Sequence, residues 1–574
     1  IFIWNLFSFY ICLYDYWKIM FLYKTTPVAC CCKAQVNGSC FVMELWDKAE
    51  RLWTRVKNWK TVRGWHIWKL KLVDARLYFV SMFVGLLTGL VAVPYHYLLY
   101  YLFHLRSGFF ASHPAWYWHI PLFLFSWGIL VFVMWLVGKM PLIGGGGIPQ
   151  TRGVINGRIT YRHPFIEMVS KFVGGILSFS AGLSLGREGP SVQIGSYVGS
   201  LVSRWTHILK GEQKQLLAAG AGAGLAAAFA APLASSLIVI ESIERFDAPK
   251  TAITTLLAGV VAGAVASMVF PVNPYHLIEV TEPVFAFFVQ MKYFLILAVI
   301  VSVCGKFYSS TMNAFRHVYA KVNSPAYVKM FYLVLVAYII SLMQVNLTGG
   351  GEQFLLAQAQ NGSTQIMWVT AVMLLHFVFS VFSVSSGLPG GSFIPTLVTG
   401  GLLGQIVGLV GVRYGVIGQE NVSYIMLVSM SAFLVAVVRT PLTAIVLITE
   451  ITGHFEVFYP SVVVGGLTYY FTELLQMKPS NVSLYEDMIH APDFKEEKRY
   501  TLSVEIMTDS YLDGKLVDEL SLPERCAIIN VHRDGKNLVP TGTRLIPGDQ
   551  VQIEMDSQDI EKLYEPLVSM ANIY

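Results

Sequence analysis

Ser180-Ala-Gly-Leu-Ser-Leu-Gly-Arg-Glu-Gly-Pro190 returns, about two hundred residues later, as Ser386-Gly-Leu-Pro-Gly-Gly-Ser-Phe-Ile-Pro395. Each is a glycine-rich polar break that ends in proline and leads into a helix of small residues. A second pair keeps the same spacing. Gly224-Leu-Ala-Ala-Ala-Phe-Ala-Ala-Pro-Leu233 runs into an apolar stretch ending in Glu241, and Ala432-Phe-Leu-Val-Ala-Val-Val-Arg-Thr-Pro-Leu442 into one ending in Glu450. Two halves therefore share one plan, as in transporters built from inverted repeats with a site at the repeat interface.

The rest of the composition says where these repeats sit. Of 574 residues, 55% are hydrophobic and 13% charged, against roughly 45–50% and 25% in soluble domains. That excludes an ordinary soluble enzyme. Apolar runs recur at 77–103, 120–137, 253–270, 294–304, 331–343, 366–384, 424–438 and 457–475, several long enough to cross a bilayer. The net charge of +5 implies no nucleic-acid partner. Its placement is more informative: nine Lys and Arg residues between Lys48 and Arg76 precede the first span, and the positive-inside rule assigns that flank to the cytoplasm. Trp53, Trp59, Trp65 and Trp68 are interleaved with them, so residues 43–76 are expected to form a basic amphipathic helix at the interface, a solvated basic helix being the alternative.

Five of seven cysteines fall within the first 40 residues, at no metal or disulfide spacing. Met43 opens a stretch that reads like a natural start, so residues 1–42 are expected to be non-native or dispensable.

After Met477 the composition becomes that of a soluble domain. Alternating segments at Tyr500–Met507, Ala527–Arg533, Thr541–Ile546 and Gln550–Glu554 predict strands, with turns at Asp534-Gly535 and Pro547-Gly-Asp549. This region, 499–574, resembles the C-terminal ligand-sensing module of TrkA-type potassium-uptake proteins. The resemblance implies regulation by a small-molecule ligand and does not say which.

Three broken helices carry the chemistry. Gly144-Gly-Gly-Gly-Ile-Pro149, Gly186-Arg-Glu-Gly-Pro190 and Gly390-Gly-Ser-Phe-Ile-Pro395 each place glycines before a proline. Such breaks are tolerated inside a membrane where they line a polar cavity. Each can aim unpaired N–H groups and a helix dipole at one point. Several weak dipoles suit a small anion that must bind and leave again.

These three motifs, in this order, resemble the anion-binding signatures of the CLC family of chloride channels and proton-coupled chloride exchangers. Ser483-Leu-Tyr485 is similar to the family's fourth element, a tyrosine whose hydroxyl reaches the central chloride. The likeness spans roughly residues 75–490. It implies a homodimer with one anion pathway per subunit and Glu188 as the gating glutamate. It further implies anion contacts from Gly146, Gly147, Ile148, Arg187, Gly189, Ser392, Phe393 and Tyr485, with Gly391 nearby. The residue chemistry is compatible with gating. The helix dipole favours an ionised Glu188, burial favours the protonated form, and its charge can therefore respond to pH.

Two departures bear on mechanism. The family often has Ser where this chain has Gly146, so a hydroxyl donor is missing and the anion preference is open. Coupled exchangers usually carry paired glutamates where this chain reads Glu241-Ser242, so the intracellular proton-transfer acid is replaced by Ser242. Glu241 and Glu244 remain as candidates for a proton path. Exchanger and passive channel both stay open. An enzyme reading from Gly182-Leu-Ser-Leu-Gly186, a nucleophile-elbow pattern, lacks a strand-to-helix context, and the sequence holds no His-Glu-x-x-His motif. No metal or cofactor is expected.

The expected architecture is an all-α polytopic membrane protein with two inverted-topology helical repeats and broken helices. The repeats run over about 77–270 and 290–475 within a transport domain at 77–490. A small α+β cytoplasmic domain is expected at 499–574, and the size and domain type favour a prokaryotic plasma membrane.

Overall fold

In hydrocarbon a backbone satisfies its own N–H and C=O groups only as a helix or a closed barrel, so the apolar runs become helices. The computed structural model describes residues 62–570 apart from short stretches, the longest being 245–248, 282–286, 490–498 and 557–566. The expectations for residues 1–42, the N-terminal cysteines, the Trp residues up to Trp59 and the Asp534-Gly535 turn lie outside the described residues. So do the side chains before Ala75. Two units divide at Asp74 and Ala75. Of the first, only the helical start from Val62 is described.

The helices of the first repeat are α1 (Val62–Ala111), α2 (Trp116–Lys139), α3 (Ile148–Ile155), α4 (Pro164–Ser180), α5 (Glu188–Trp205), α6 (Lys210–Phe229), α7 (Pro232–Ile238) and α8 (Pro249–Val269). Those of the second are α9 (Phe287–Lys321), α10 (Ala326–Gln344), α11 (Glu352–Asn361), α12 (Ile366–Ser385), α13 (Phe393–Arg413), α14 (Val422–Val438), α15 (Pro441–Thr452) and α16 (Phe458–Leu474), and α17 (Ser480–Ile489) follows them. Among the described residues, eight helical stretches are long and apolar enough to span a membrane. The run at 457–475 is not one of them, its helix being only 17 residues long. Phe393–Arg413 is one, although its glycines hid it from a simple apolar count.

Small residues set the packing. A Cβ on Gly195 would strike the carbonyl of Gly220, and one on Gly220 that of Gly195, so α5 and α6 touch backbone to backbone. The exposed faces of α2, including Phe125, Phe132 and Trp135, are those of a lipid-facing rim, whereas α14 is buried almost throughout.

The two repeats hold each other reciprocally. Glu241, just past α7, accepts hydrogen bonds from the amides of Leu442 (3.0 Å) and Thr443 (2.8 Å) at the start of α15. Glu450, near the end of α15, accepts from Leu233 (3.1 Å) and Ala234 (2.9 Å) at the start of α7. Antiparallel helices that cap one another in this way are related by a local two-fold, the signature of an inverted repeat.

The C-terminal region is a four-stranded antiparallel sheet, ordered β1 (Arg499–Glu505), β4 (Gln550–Asp556), β2 (Ala527–Arg533), β3 (Lys536–Leu538). Its core is Val504, Val531, Val551 and Ile553. The strand expected at Thr541–Ile546 does not form. Pro540 and Gly542, whose φ is 75°, turn the chain there, and only Arg544 keeps an isolated bridge, to Leu516. Burial alone would raise the Asp549 carboxyl, but Arg533, donating at 2.7 Å to each oxygen, and the Ile546 amide hold it below its ordinary range.

Candidate functional site

The glycine breaks meet at one buried point because they pair with one another. Gly186 and Gly391 exchange backbone hydrogen bonds of 2.7 and 2.8 Å, and Gly145 donates to Gly387 while Gly390 donates to Gly145. This stitching sets the N-termini of α5 and α13 opposite each other. In both helices the first helical bond comes only at the residue after the proline, Ser191 to Arg187 and Thr396 to Ser392. Pro190 and Pro395 have no N–H. The amides of Glu188 and Gly189, and of Phe393 and Ile394, are therefore the donors left without an intrahelical acceptor. In α3 the frame differs: Pro149 is the second helical residue, and Gly147, at φ 99°, caps the helix with its own amide donating to Gln150 Oε1 (2.9 Å).

Glu188 lies in this gap, fully buried, with neither carboxylate oxygen in a well-formed hydrogen bond. Its side chain folds back over Gly186, where a Cβ would touch Glu188 Oε2 and stand 3.3 Å from the Ile394 amide nitrogen. The carboxylate of one repeat is thus presented to the free amides of the other. Arg187 turns aside to pair with Glu352 (3.2 Å) rather than entering the gap. Phe393 is buried against Phe229, and Ser392 is half-buried at the cap of α13. Ile148 and Gly189 are buried, and the carbonyls of Gly146 and Gly189 approach the other's chain so closely that no Cβ fits on Gly189 or Gly147. Gly146 itself has room: a Cβ would sit 3.8 Å from its nearest neighbours.

Some of the supports have no place in the motifs. Lys171 of α4, fully buried, donates to the carbonyls of Ile143 (2.8 Å) and Gly145 (2.7 Å). Gln150 Nε2 donates to Gly144 and Gln193 Nε2 to Leu142. These three side chains fix the glycine loop before α3. Lys171 is the one basic residue of α4, and a basic side chain inside a membrane segment is the signal that could have found it.

The expected proton-path residues are elsewhere. Glu241 and Ser242 line a cavity of about 350 Å³ together with Arg152, Arg439 and Asn481. Both oxygens of Glu241 are committed to the start of α15, Thr443 Oγ1 donating as well at 2.6 Å. Ser242 faces Asn481 at 3.5 Å, and Glu244 closes the same turn with its side chain outside the described residues. Tyr485 is buried beneath Arg152, whose guanidinium lies 4.8 Å from its ring centre. Ser184 of the elbow pattern is sealed in the core with its hydroxyl on Ser380, so no substrate can reach it.

The cap geometry carries its own prediction. Glu241→Ala or Glu450→Ala removes the acceptor at the partner helix and should cost about 1–2 kcal/mol, read as a lower unfolding temperature in detergent. Unchanged stability with altered proton movement would instead make Glu241 a proton carrier.

A multi-pass helical protein whose inverted repeats aim broken helices at one buried point has the architecture of a membrane transporter or channel. Residues 129–473 match the family model described as voltage gated chloride channel, and 502–568 that of the TrkA-C domain. The chain belongs to the voltage gated chloride channel (CLC) family and carries a TrkA-C domain. It is 30% identical over 396 residues to the H(+)/Cl(-) exchange transporter ClcA of Salmonella schwarzengrund (strain CVM19633), a match covering 67% of this chain and 83% of that relative. Among solved structures it is similar to a slow cyanobacterial Cl-/H+ antiporter, with TM-score 0.65 and 26% identity over 73% of this chain and 99% of that one. Its fold is also like that of a CLC-type fluoride/proton antiporter, with TM-score 0.58 and 21% identity over 70% of this chain and 96% of the other.

Proposed function

We propose that this chain exchanges chloride for protons across the membrane, gated by Glu188. The observation that carries the reading is the Glu188 carboxylate, buried without a good hydrogen bond among the free amides of α5 and α13. An ionised carboxylate there occupies the position a chloride would take. Protonation removes its charge, and the amides become available to the anion. Gly146, Gly147, Ile148, Gly189, Ser392, Phe393 and Tyr485 line the route, with Arg187 holding Glu352 beside it. The relatives named as exchangers support proton coupling. Two such chains would form the dimer, in a prokaryotic plasma membrane with the TrkA-C domain cytoplasmic and open to a small-molecule regulator.

A passive chloride channel is the second reading, and one observation favours it. The cavity that holds Ser242 presents a hydroxyl where a proton-transferring acid would be expected, and both acids in its wall are committed, Glu241 to the start of α15 and Glu473 to Arg439. Liposomes separate the two. An imposed chloride gradient should drive protons uphill through an exchanger; chloride flux with no proton movement at any pH would leave the channel.

A further inference from the structure

The turn Thr348-Gly-Gly-Gly-Glu352 has no part in the anion motifs, yet it is built into the gate. Gly349, Gly350 and Gly351 hold φ of 64°, 86° and 82°, a succession that only glycine adopts readily. The packing asks for the same residue. The Gly349 amide donates to the Leu183 carbonyl at 3.0 Å, and a Cβ on Gly350 would stand 2.8 Å from Ile394 Cγ2 and 3.3 Å from the Leu185 carbonyl oxygen. The turn is thus wedged between the loop that leads into α5 and the start of α13, the two helices whose free amides face Glu188.

Glu352, the first residue of α11, is what this turn delivers. It is buried, and its Oε1 accepts from Arg187 Nη2 at 3.2 Å. Arg187 directly precedes Glu188, and its Nε is buried without an acceptor. Among the described residues, Glu352 is the carboxylate paired with this guanidinium. The other titratable groups around Glu188 and Arg187 are Tyr95 and His96 of α1 and Tyr275 of the short turn Pro274–Leu277. Arg187 and Glu352 are the opposed charges of the group. In a buried site both act on Glu188 with little screening. An unopposed Arg187 favours the ionised, blocking form of Glu188, and Glu352 offsets it.

We propose that Glu352 is a positioning residue of the gate: it holds Arg187 out of the gap, offsets its charge, and thereby sets the pH at which Glu188 lets an anion pass. Glu352 has this role only if Glu188 is the gate. The sign follows from the charges. Without the negative charge at position 352, ionised Glu188 is favoured, a lower pH is needed to protonate it, and flux at a given pH falls. Without Arg187 the reverse holds.

The test is chloride efflux from liposomes held at the same pH on both sides, measured over a range of pH. Glu352→Gln keeps the shape and an acceptor for Arg187 but loses the charge. Its pH of half-maximal flux should fall by about one unit, whereas Glu352→Asp, which keeps the charge, should titrate as the wild type does. Arg187→Gln should move the midpoint upward, and Arg187→Gln/Glu352→Gln should bring it back toward the wild type. Flux in Glu352→Gln that is lost equally at every pH, with an unmoved midpoint, would make Glu352 a packing residue and overturn the proposal. An equal shift in Glu352→Asp would do the same. If Glu352→Gln does not fold, Arg187→Gln and the double variant decide, since neither leaves a buried guanidinium without its carboxylate; equal midpoints in those two would overturn the role of Glu352. Glu188→Gln keeps the two readings apart. A wild-type pH profile that survives in Glu188→Gln removes the gate and this role with it, whereas a profile abolished there but unmoved in Glu352→Gln removes Glu352 alone.

Discussion

Glu188→Gln should conduct chloride at a rate nearly independent of pH and carry no protons with it. Glutamine keeps the shape of the side chain and fits the same space over Gly186, but it cannot ionise and so does not compete with the anion for the amides of Phe393 and Ile394. The wild type should accelerate as pH falls, by at most about tenfold per unit, the limit for one protonation. The sign is fixed by the block: the ionised form closes, so removing protons slows flux and adding them speeds it. Chloride efflux and proton uptake from liposomes at several pH values are the measurements. A variant with wild-type pH dependence and coupled protons would remove Glu188 from the gate and the proposed pathway with it.

The second large effect belongs to two glycines that touch each other. Gly189→Ala places a methyl group on the carbonyl of Gly146, with backbone on both sides and no side chain that can move away. Overpacking of that kind costs roughly 1–3 kcal/mol, and here the relief would come from pushing α3 away from α5. Chloride flux should fall by more than about tenfold, since a misplacement near 1 Å can cost that and more. Gly146→Ser meets no such obstacle. Its Cβ has ordinary contacts at 3.8 Å, and it adds a hydroxyl on the proposed anion route. The variant should remain active and favour chloride over nitrate by roughly fivefold, about 1 kcal/mol. Equal flux in Gly189→Ala and wild type would show that the two glycines do not need to meet.

Much of this was legible because glycine and proline act locally. A Gly-Arg-Glu-Gly-Pro or Gly-Gly-Ser-Phe-Ile-Pro run states in one short window where a helix starts and how many amides it leaves unpaired. The repeat was legible for the same reason, as punctuation recurring at a fixed interval. What could not be read were contacts between distant segments. Lys171 lies more than twenty residues from the carbonyls it holds, and nothing in the window around it says that they are near. Glu241 is a candidate for the proton path through the family resemblance alone; that it also caps a helix could not be read, because the two amides it accepts from lie 201 and 202 residues away. Arg152 over Tyr485 is a pairing of the same kind. The strand predicted at Thr541–Ile546 is absent because Pro540 and Gly542 turn the chain there, and alternation of side chains cannot override that backbone geometry.

The crossed caps of Glu241 and Glu450 also constrain how the protein is born. The amides of Leu233 and Ala234 wait for an acceptor that is 217 and 216 residues further along the chain. At about 5–20 residues per second, a ribosome needs roughly 10–45 s to supply it. During that interval the first half is already inside the membrane with the start of α7 unfinished. Such a nascent chain would need a temporary shelter, from the insertion machinery or from water at its edge, until the second half arrives. Neither half is complete alone, so an ancestral single repeat would have had to meet a second copy of itself before it could close.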